Sequence, residues 1–523
     1  MKALLINPEF PLSFWSLEKS CHDDGRPTLA PPLGLITVAA LLPQQWNLRL
    51  VDLNTRSVSD ADWEWADMIL ITGMLLQKES LLDHVRQAKA RGKTVVVGGP
   101  YATSAPNEVL EAGVDFLVRG EGETAVPLLL SALEEGRTRG VIAHEAKPDL
   151  ATSPIPRFDL LRIRDYRILT IQTSRGCPFD CEFCDVVSLY GRKTRYKTPG
   201  QVIAELEAIR RLGWRDFVFI GDDNFVGSRR HALAILQQVI PWHKSNGEPF
   251  LFWTQASINL GQDLEMIDLM TAANFTTVFI GIESPDEEVL ALARKHHNIR
   301  NPLVKSLENI NKNGLQAMLS FVIGFDGEKK GTGERICQFV ENAGVPMVML
   351  NTLQVFPNTS LWERLEKEGR LVLDRSSGDT IGARLNYVPT RPEADIIQEY
   401  LDAWEYLYEP SRFLTRAYRY FLAMRPTRRA IALQKGEKPR DARTPLSLPF
   451  RSVLNLLRLL WRQGVVSAHR IQFWRQLIGI LKHNPSRFVT YIVACKLCMD
   501  ISDFASGMCK RIRDANRDAR KLE

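Results

Sequence analysis

The sequence predicts an α/β protein in three parts. These are an N-terminal doubly wound, Rossmann-like parallel sheet, a partial (βα)6 barrel of the TIM type, and a mostly helical C-terminal domain. Three observations predict it. Short apolar runs alternate with helical patterns over residues 1–135, and a second alternating series begins at residue 167. From about residue 354 the strand signals stop, and Leu-, Ile-, Val- and Trp-rich segments recur at helical spacing, broken by Arg.

In the first series ALLI (3–6), LRLVD (48–52), MILIT (68–72), TVVVGG (94–99) and DFLVRG (115–120) read as strands. PPLGLITVAALL, QKESLLDHVRQAKARG and PNEVLEAG have the helical spacing expected between them. Such alternation builds a parallel sheet, and ligands of these sheets sit beyond the carboxyl ends of the strands. Those ends carry Pro8, Gly73 and Met74, Gly98 and Gly99, Tyr101, and Gly120 and Glu121. Glycines there let a large ligand approach the backbone, and they equally suit strand-to-helix turns. Residues 136–166 lack periodicity and contain Pro148, Pro154 and Pro156, so they read as a linker.

In the second series the strands are RILTIQT (167–173), DFVFIG (216–221), FLFWTQA (250–256), TTVFIGIE (276–283), MLSFVIGF (318–325) and VMLNTL (348–353). The spacing predicts a helix over 199–212, with Thr198 as cap, Pro199 in the first turn and Val202, Leu206, Ile209 and Leu212 in one stripe. Six strand–helix units over 167–370 make a partial barrel, whose functional residues gather on the loops after the strands. Residues 371–523 form the helical remainder.

Composition is that of a globular protein: 523 residues, 45% hydrophobic and 24% charged. MKALLINP is too short an apolar run for a signal peptide, and no run has transmembrane length. The net charge of +6 is unevenly spread: residues 411–523 hold 24 Lys and Arg against 7 Asp and Glu, and residues 1–410 hold 43 against 54. The basic tail is either a solvated helical surface or a face for nucleic acid, anionic lipid or an acidic partner.

Eight cysteines do not make a disulfide scaffold in a chain of 523 residues, so a reduced, cytoplasmic setting is expected. Three of them, Cys177, Cys181 and Cys184, crowd into SRGCPFDCEFCD (174–185), directly after the first barrel strand. Thiolates are soft ligands that hold iron–sulfur clusters. A zinc site usually needs four ligands, and no further Cys or His follows closely. Three thiolates suit a cluster with one iron left open. Cys495, Cys498 and Cys509 could hold a second cluster, but they lie in an apolar helical run that favours buried thiols.

The segment Cys-x3-Cys-x2-Cys, with Phe183 before its last cysteine, resembles the signature of radical S-adenosylmethionine enzymes. The N-terminal sheet, with GGPYAT (98–103) and RGEGE (119–123), is similar to the cobalamin-binding domain that precedes the barrel in one large class. NPEFPLSFWS (7–16), PPLGLITVAALLP and RLVDLN most resemble the subgroup containing the hopanoid C-2 methylases. The resemblance implies that Cys177, Cys181 and Cys184 hold a [4Fe-4S] cluster. It implies contacts to S-adenosylmethionine from Phe183, from Asp222 and Asp223 of GDDNF (where the usual Gly-Gly-Glu is absent), from Glu283 of GIES, from Gly324, and from Gln255. It places cobalamin on Pro8, Gly73, Met74, Gly98, Gly99, Tyr101, Gly120 and Glu121, with no Asp-x-His-x-x-Gly motif to supply a lower ligand.

What the resemblance implies for activity is methyl transfer to an unactivated carbon of a hydrophobic substrate of lipid or terpenoid type. One S-adenosylmethionine would methylate cobalamin, and a second would give the 5′-deoxyadenosyl radical that removes a substrate hydrogen. An electron donor such as flavodoxin or ferredoxin is implied, nucleic acid is not expected, and the basic tail is open to peripheral contact with the inner membrane surface. The alternatives are a cobalamin-dependent radical cyclase or rearrangement enzyme and, from another class, a cobalamin-binding regulatory protein.

Overall fold

The computed structural model describes residues 1–375, 384–437 and 450–522. Its N-terminal sheet has six parallel strands: β1 (Lys2–Asn7), β2 (Asn47–Asp52), β3 (Met68–Thr72), β4 (Thr94–Gly98), β5 (Phe116–Arg119) and β6 (Gly140–Ala143), in the order β2-β1-β3-β4-β5-β6. Alternate residues point to opposite faces. Leu4, Ile6, Ile69, Ile71, Val95 and Val97 pack into one core, and Ala3, Leu5, Leu70, Val96, Phe116 and Val118 into another. The chain order reverses between β1 and β3, so the ligand crevice of such a sheet lies beside Pro8 and Gly73.

Strand β6 corrects the reading of 136–166 as a linker throughout. It is short, half exposed and opens on a glycine, so it carries no clear alternation. The remainder of that segment packs down tightly: the Arg157 amide donates to the Ile36 carbonyl at 3.0 Å. The Tyr166 hydroxyl donates to Asp52 at 3.1 Å.

The second sheet is built from β7 (Leu169–Ile171), then β10 (Phe217–Ile220), β11 (Leu251–Gln255), β12 (Phe275–Glu283), β13 (Gln316–Ile323) and β14 (Val348–Thr352). All neighbours are parallel and run in chain order, as a partial barrel requires. The expected strand 167–173 ends early because the chain turns into a separate antiparallel pair, β8 (Ser174–Arg175) with β9 (Arg195–Tyr196). Helix Pro199–Arg211 starts as predicted, with Thr198 accepting from the Gln201 amide at 3.3 Å.

Phe252 packs against His243 of the outer helix Arg229–Ser245, so alternate residues Trp253 and Gln255 face the barrel interior. Trp15, from the loop after β1, meets Trp253 there at a tilt and Phe279 edge-on, at 5.7 and 5.2 Å. The C-terminal helices share the barrel's hydrophobic core, so the expected boundary at 370 does not separate two cores. Cys495, Cys498 and Cys509 are buried free thiols in helix Phe488–Leu522.

Candidate functional site

The cysteine loop leaves the barrel through a narrow neck. Ser174 and Arg175 pair with Tyr196 and Arg195, and everything between, including helix Asp185–Tyr190, projects from that neck. Gly176 has φ +91°, and a Cβ there would stand 2.8 Å from the Gly191 carbonyl oxygen, so the neck requires glycine.

The loop is fastened from several sides. The Glu182 amide donates to the Ala293 carbonyl at 3.1 Å, and its own carbonyl accepts from Leu361 at 2.8 Å. Its carboxylate takes two hydrogen bonds from Arg364, at 2.9 and 3.2 Å. Phe179 stacks on His297 at 3.7 Å, with burial lowering that imidazole's pKa to about 3 and keeping it neutral. Phe183 meets Phe325 edge-on at 5.3 Å.

Cys177, Cys181 and Cys184 are free and partly buried on this one loop. Burial pushes all three thiols up, Cys181 to about 11. A bound metal reverses that, because a coordinating thiol is deprotonated outright. Among the described residues no three Cys, His, Asp or Glu side chains converge on a point that a single ion could occupy. Zinc would need its sulfurs about 2.3 Å from one centre. Three free thiols on one loop are the soft donor set of an iron–sulfur cluster.

Asp222 and Asp223 have separate tasks. Asp222 is fully buried and accepts from the amide and hydroxyl of both Thr173 and Ser174. Its oxygens are thus committed to the chain leading into the cysteine loop, which differs from the expected ligand contact. Asp223 accepts one bond, from the Gly176 amide at 2.8 Å, and burial raises its pKa to about 6, with Asp222 and Asp185 adding to the rise. Asn224, which the sequence did not single out, ties β10 to β11 by donating to the Ser257 hydroxyl at 3.0 Å.

Glu283 ends β12 at a register shift and has φ +66°, unusual for a side chain other than glycine. It pairs with Lys295 at 2.8 Å, and both are nearly buried. Burial alone would lower the Lys295 pKa, but Glu283 and Cys181 hold it above the usual lysine value. Lys295 carries no signal in the sequence, since it lies 12 positions from its partner with no common period between them. Gly324 (φ +115°) donates to Glu328 at 3.0 Å and accepts from the Tyr387 hydroxyl, whose oxygen lies 2.8 Å from where a Cβ would be.

On the first sheet, Met74 stands exposed at the carboxyl edge, whereas Pro8 is buried beside it. The Pro8 carbonyl accepts from Gln77 at 2.6 Å and from Asn54 at 3.2 Å. Helix Gly99–Ser104 lies against helix Asp185–Tyr190, so this edge faces the cysteine loop. Gly73 and Gly98 are turn residues beside it. Other expected contacts prove to be internal. The Tyr101 ring is fully buried and donates to Glu108 at 2.9 Å. A Cβ at Gly99 would meet the Thr72 hydroxyl at 2.1 Å, and one at Gly120 the His144 carbonyl at 2.7 Å.

Glu121 forms part of a charge cluster between the two sheets. Arg175 donates to Glu121 at 2.9 Å and to both oxygens of Glu123, and Arg195 donates to both oxygens of Glu121 at 2.8 and 3.0 Å. Ser153 adds a bond to Glu123 at 2.8 Å. The cysteine loop's own neck thus grips the loop after β5.

Comparison with known proteins places the chain in a family. Residues 26–130 match the B12 binding domain, residues 171–340 the Radical SAM superfamily, and residues 359–514 a domain of unknown function. An uncharacterized methyltransferase of Synechocystis is 47% identical over 497 residues, covering 95% of this chain and 90% of that protein. The hopanoid C-2 methylase of Rhodopseudomonas palustris is 32% identical, covering 91% and 88%. Among solved structures, the cobalamin-dependent S-adenosylmethionine radical enzyme OxsB shares the fold at TM-score 0.58 and 15% identity, over 99% of this chain and 81% of its own. The radical S-adenosylmethionine methyltransferase TsrM of Kitasatospora setae does so at 0.55 and 17%, over 70% and 78%.

The chain belongs to the cobalamin-dependent radical S-adenosylmethionine methyltransferase family. It is an enzyme of that class, with cobalamin, S-adenosylmethionine and a [4Fe-4S] cluster as its cofactors.

Proposed function

We propose that this enzyme methylates an unactivated carbon of a hydrophobic, lipid- or terpenoid-type substrate in the cytoplasm. One observation carries the reading: the Arg175 and Arg195 clamp on Glu121 and Glu123 sets the carboxyl edge of the B12 sheet against the cysteine loop. Two cofactors held by those two edges face one shared space. The 32% identity to a hopanoid methylase supports the substrate class.

When bound, the cluster with S-adenosylmethionine supplies a 5′-deoxyadenosyl radical and cobalamin supplies a methyl group. In this reading Cys177, Cys181 and Cys184 hold the cluster. Phe183, Asp223, Gln255, Glu283 and Gly324 surround S-adenosylmethionine, and Asp222 fixes the strand behind them. Lys295 donates to Glu283 and holds its carboxylate in place as an acceptor for ribose hydroxyls. Met74 and Gly98 form the ledge under cobalamin, with Pro8, Gly73, Gly99, Tyr101, Gly120 and Glu121 shaping it from below. His84 lies within helix Lys78–Ala90, its Nδ1 2.8 Å from the Ser80 carbonyl, outside any Asp-x-His-x-x-Gly context. Trp15, Trp253 and Phe279 exclude water from the barrel interior. A flavodoxin- or ferredoxin-type donor supplies electrons.

The test is an anaerobic incubation of the reconstituted enzyme with cobalamin, reductant, S-adenosylmethionine and a host lipid extract. Methyl transfer yields 5′-deoxyadenosine and S-adenosylhomocysteine in about equal amounts, with a lipid gaining ~14 mass units, and none of these with Cys184→Ala. Deoxyadenosine without homocysteine on the methylatable substrate would replace this reading with a rearrangement.

A further inference from the structure

The C-terminal helices carry a surface that the chemistry above does not use. Between residues 450 and 499 the sequence has eight Lys and Arg and no Asp or Glu. Helix Arg470–His483 buries Phe473, Leu477 and Ile480 on its inner side. On its outer side Ile471 is 78% exposed, Ile478 60%, Leu481 47% and Trp474 40%. These four recur at helical spacing and form one stripe.

Arg470, Arg475 and Lys482 are exposed on the same side, interleaved with that stripe. Other basic residues of this region are held in ion pairs: Arg458 and Lys496 with Asp23, and Arg462 with Asp503. The apolar surface continues past both helix ends, to Trp461 and Val466 before it and to Val489 after it, each more than 60% exposed. Trp474 joins the preceding turn to the stripe by donating to the Gly464 carbonyl at 2.9 Å.

We propose that this face docks on an anionic lipid bilayer, with helix Arg470–His483 lying in the interfacial plane. This gives a role to the region matched by a domain of unknown function. An apolar stripe flanked by Arg and Lys, with no acidic residue, matches a surface that is negative outside and apolar beneath. A second copy of the chain would bring the same positive surface against it, so like charge opposes self-pairing. No helix among the described residues is long and apolar enough to cross a membrane, so the contact lies on the bilayer. The inference stands independently of the reaction.

The experiment is co-sedimentation of the full-length reconstituted enzyme with vesicles of phosphatidylcholine alone or with phosphatidylglycerol in a roughly 2:1 ratio. Each basic side chain near such a surface adds about fivefold to the partition constant, so wild type should bind anionic vesicles at least ~10-fold better. Arg470→Glu/Arg475→Glu/Lys482→Glu should remove that preference. Ile471→Ser/Ile478→Ser/Leu481→Ser should release the protein from both vesicle types. All six positions are exposed, so circular dichroism and urea midpoints of both variants should match wild type. Equal binding to the two vesicle types, variants that bind like wild type, or a salt-stable dimer that shields Ile471 and Ile478 would each overturn the proposal.

Discussion

At the scale of single residues, the Glu283–Lys295 pair is the least dispensable polar contact near the cysteines. Breaking a buried pair leaves an uncompensated charge, whereas replacing both partners by neutral groups is tolerated better. Lys295→Met should therefore cost ~3 kcal/mol in urea unfolding of the metal-free protein. Lys295→Met with Glu283→Gln should recover at least half of that loss. Glu328 offers a pH-dependent companion. Burial raises its pKa from 4.5 to about 7, although Arg391 and the Gly324 amide pull the other way. The folded protein therefore keeps a proton that the unfolded chain releases. That contribution is complete below the unfolded pKa of 4.5 and is lost as pH rises through about 7. Its ceiling is about 3 kcal/mol. Glu328→Gln should flatten the fall in stability between pH 5 and pH 7.5, measured as urea midpoints across a pH series.

At the scale of elements, the neck of the cysteine loop and the loop after β5 act as one unit. Arg175 is the pin of that unit, since it touches both Glu121 and Glu123. Arg175→Gln should leave the Glu123 carboxylate without its cation, with Glu121 held by Arg195, and cost ~3 kcal/mol. The sheets should then separate more often, so trypsin should cut within 136–166 at least tenfold faster, read by peptide mass. Adding Glu123→Gln should slow that cleavage again. The strands themselves were legible in the sequence, because MILIT and TVVVGG have no helical reading and their flanks carry glycine. The cysteine triad was legible because its spacing is local. The clamp was not: Arg175 stands beside the triad, but its partners lie 52 and 54 residues away, and nothing in RGEGE distinguishes a ligand loop from half of an ion-pair network. Likewise Gly99, Gly120 and Tyr101 lie at the correct edge, yet their side-chain environments are set by Thr72, His144 and Glu108, contacts that only tertiary structure creates.

At the scale of the whole molecule, a partial barrel has two open edges, and β14 is one of them. An uncovered edge strand is a template for pairing with another chain. Here helix Glu393–Leu407 closes it: Trp404 donates to the Leu350 carbonyl at 3.1 Å, and the Tyr408 hydroxyl accepts from the Val348 amide at 3.1 Å. Tyr420, from the next helix, accepts from the Ala317 amide of β13 at 2.7 Å. Trp404 is fully buried and also meets Phe14, so the N-terminal loop, the barrel and the C-terminal helices share one packed centre. The C-terminal region is therefore part of the barrel's fold as well as the bearer of an exposed surface. A chain ended after residue 375 should lose the cover of β14 and expose the core around Leu350. It should elute as aggregate in size exclusion and bind a hydrophobic dye strongly. Trp404→Ala in the full chain should lower stability by ~3–5 kcal/mol while the chain stays monomeric, because the helix still covers the strand edge. If the shortened chain instead stays monomeric with a cooperative transition, the barrel folds without its C-terminal cover, and the shared centre is a docking contact between independent domains.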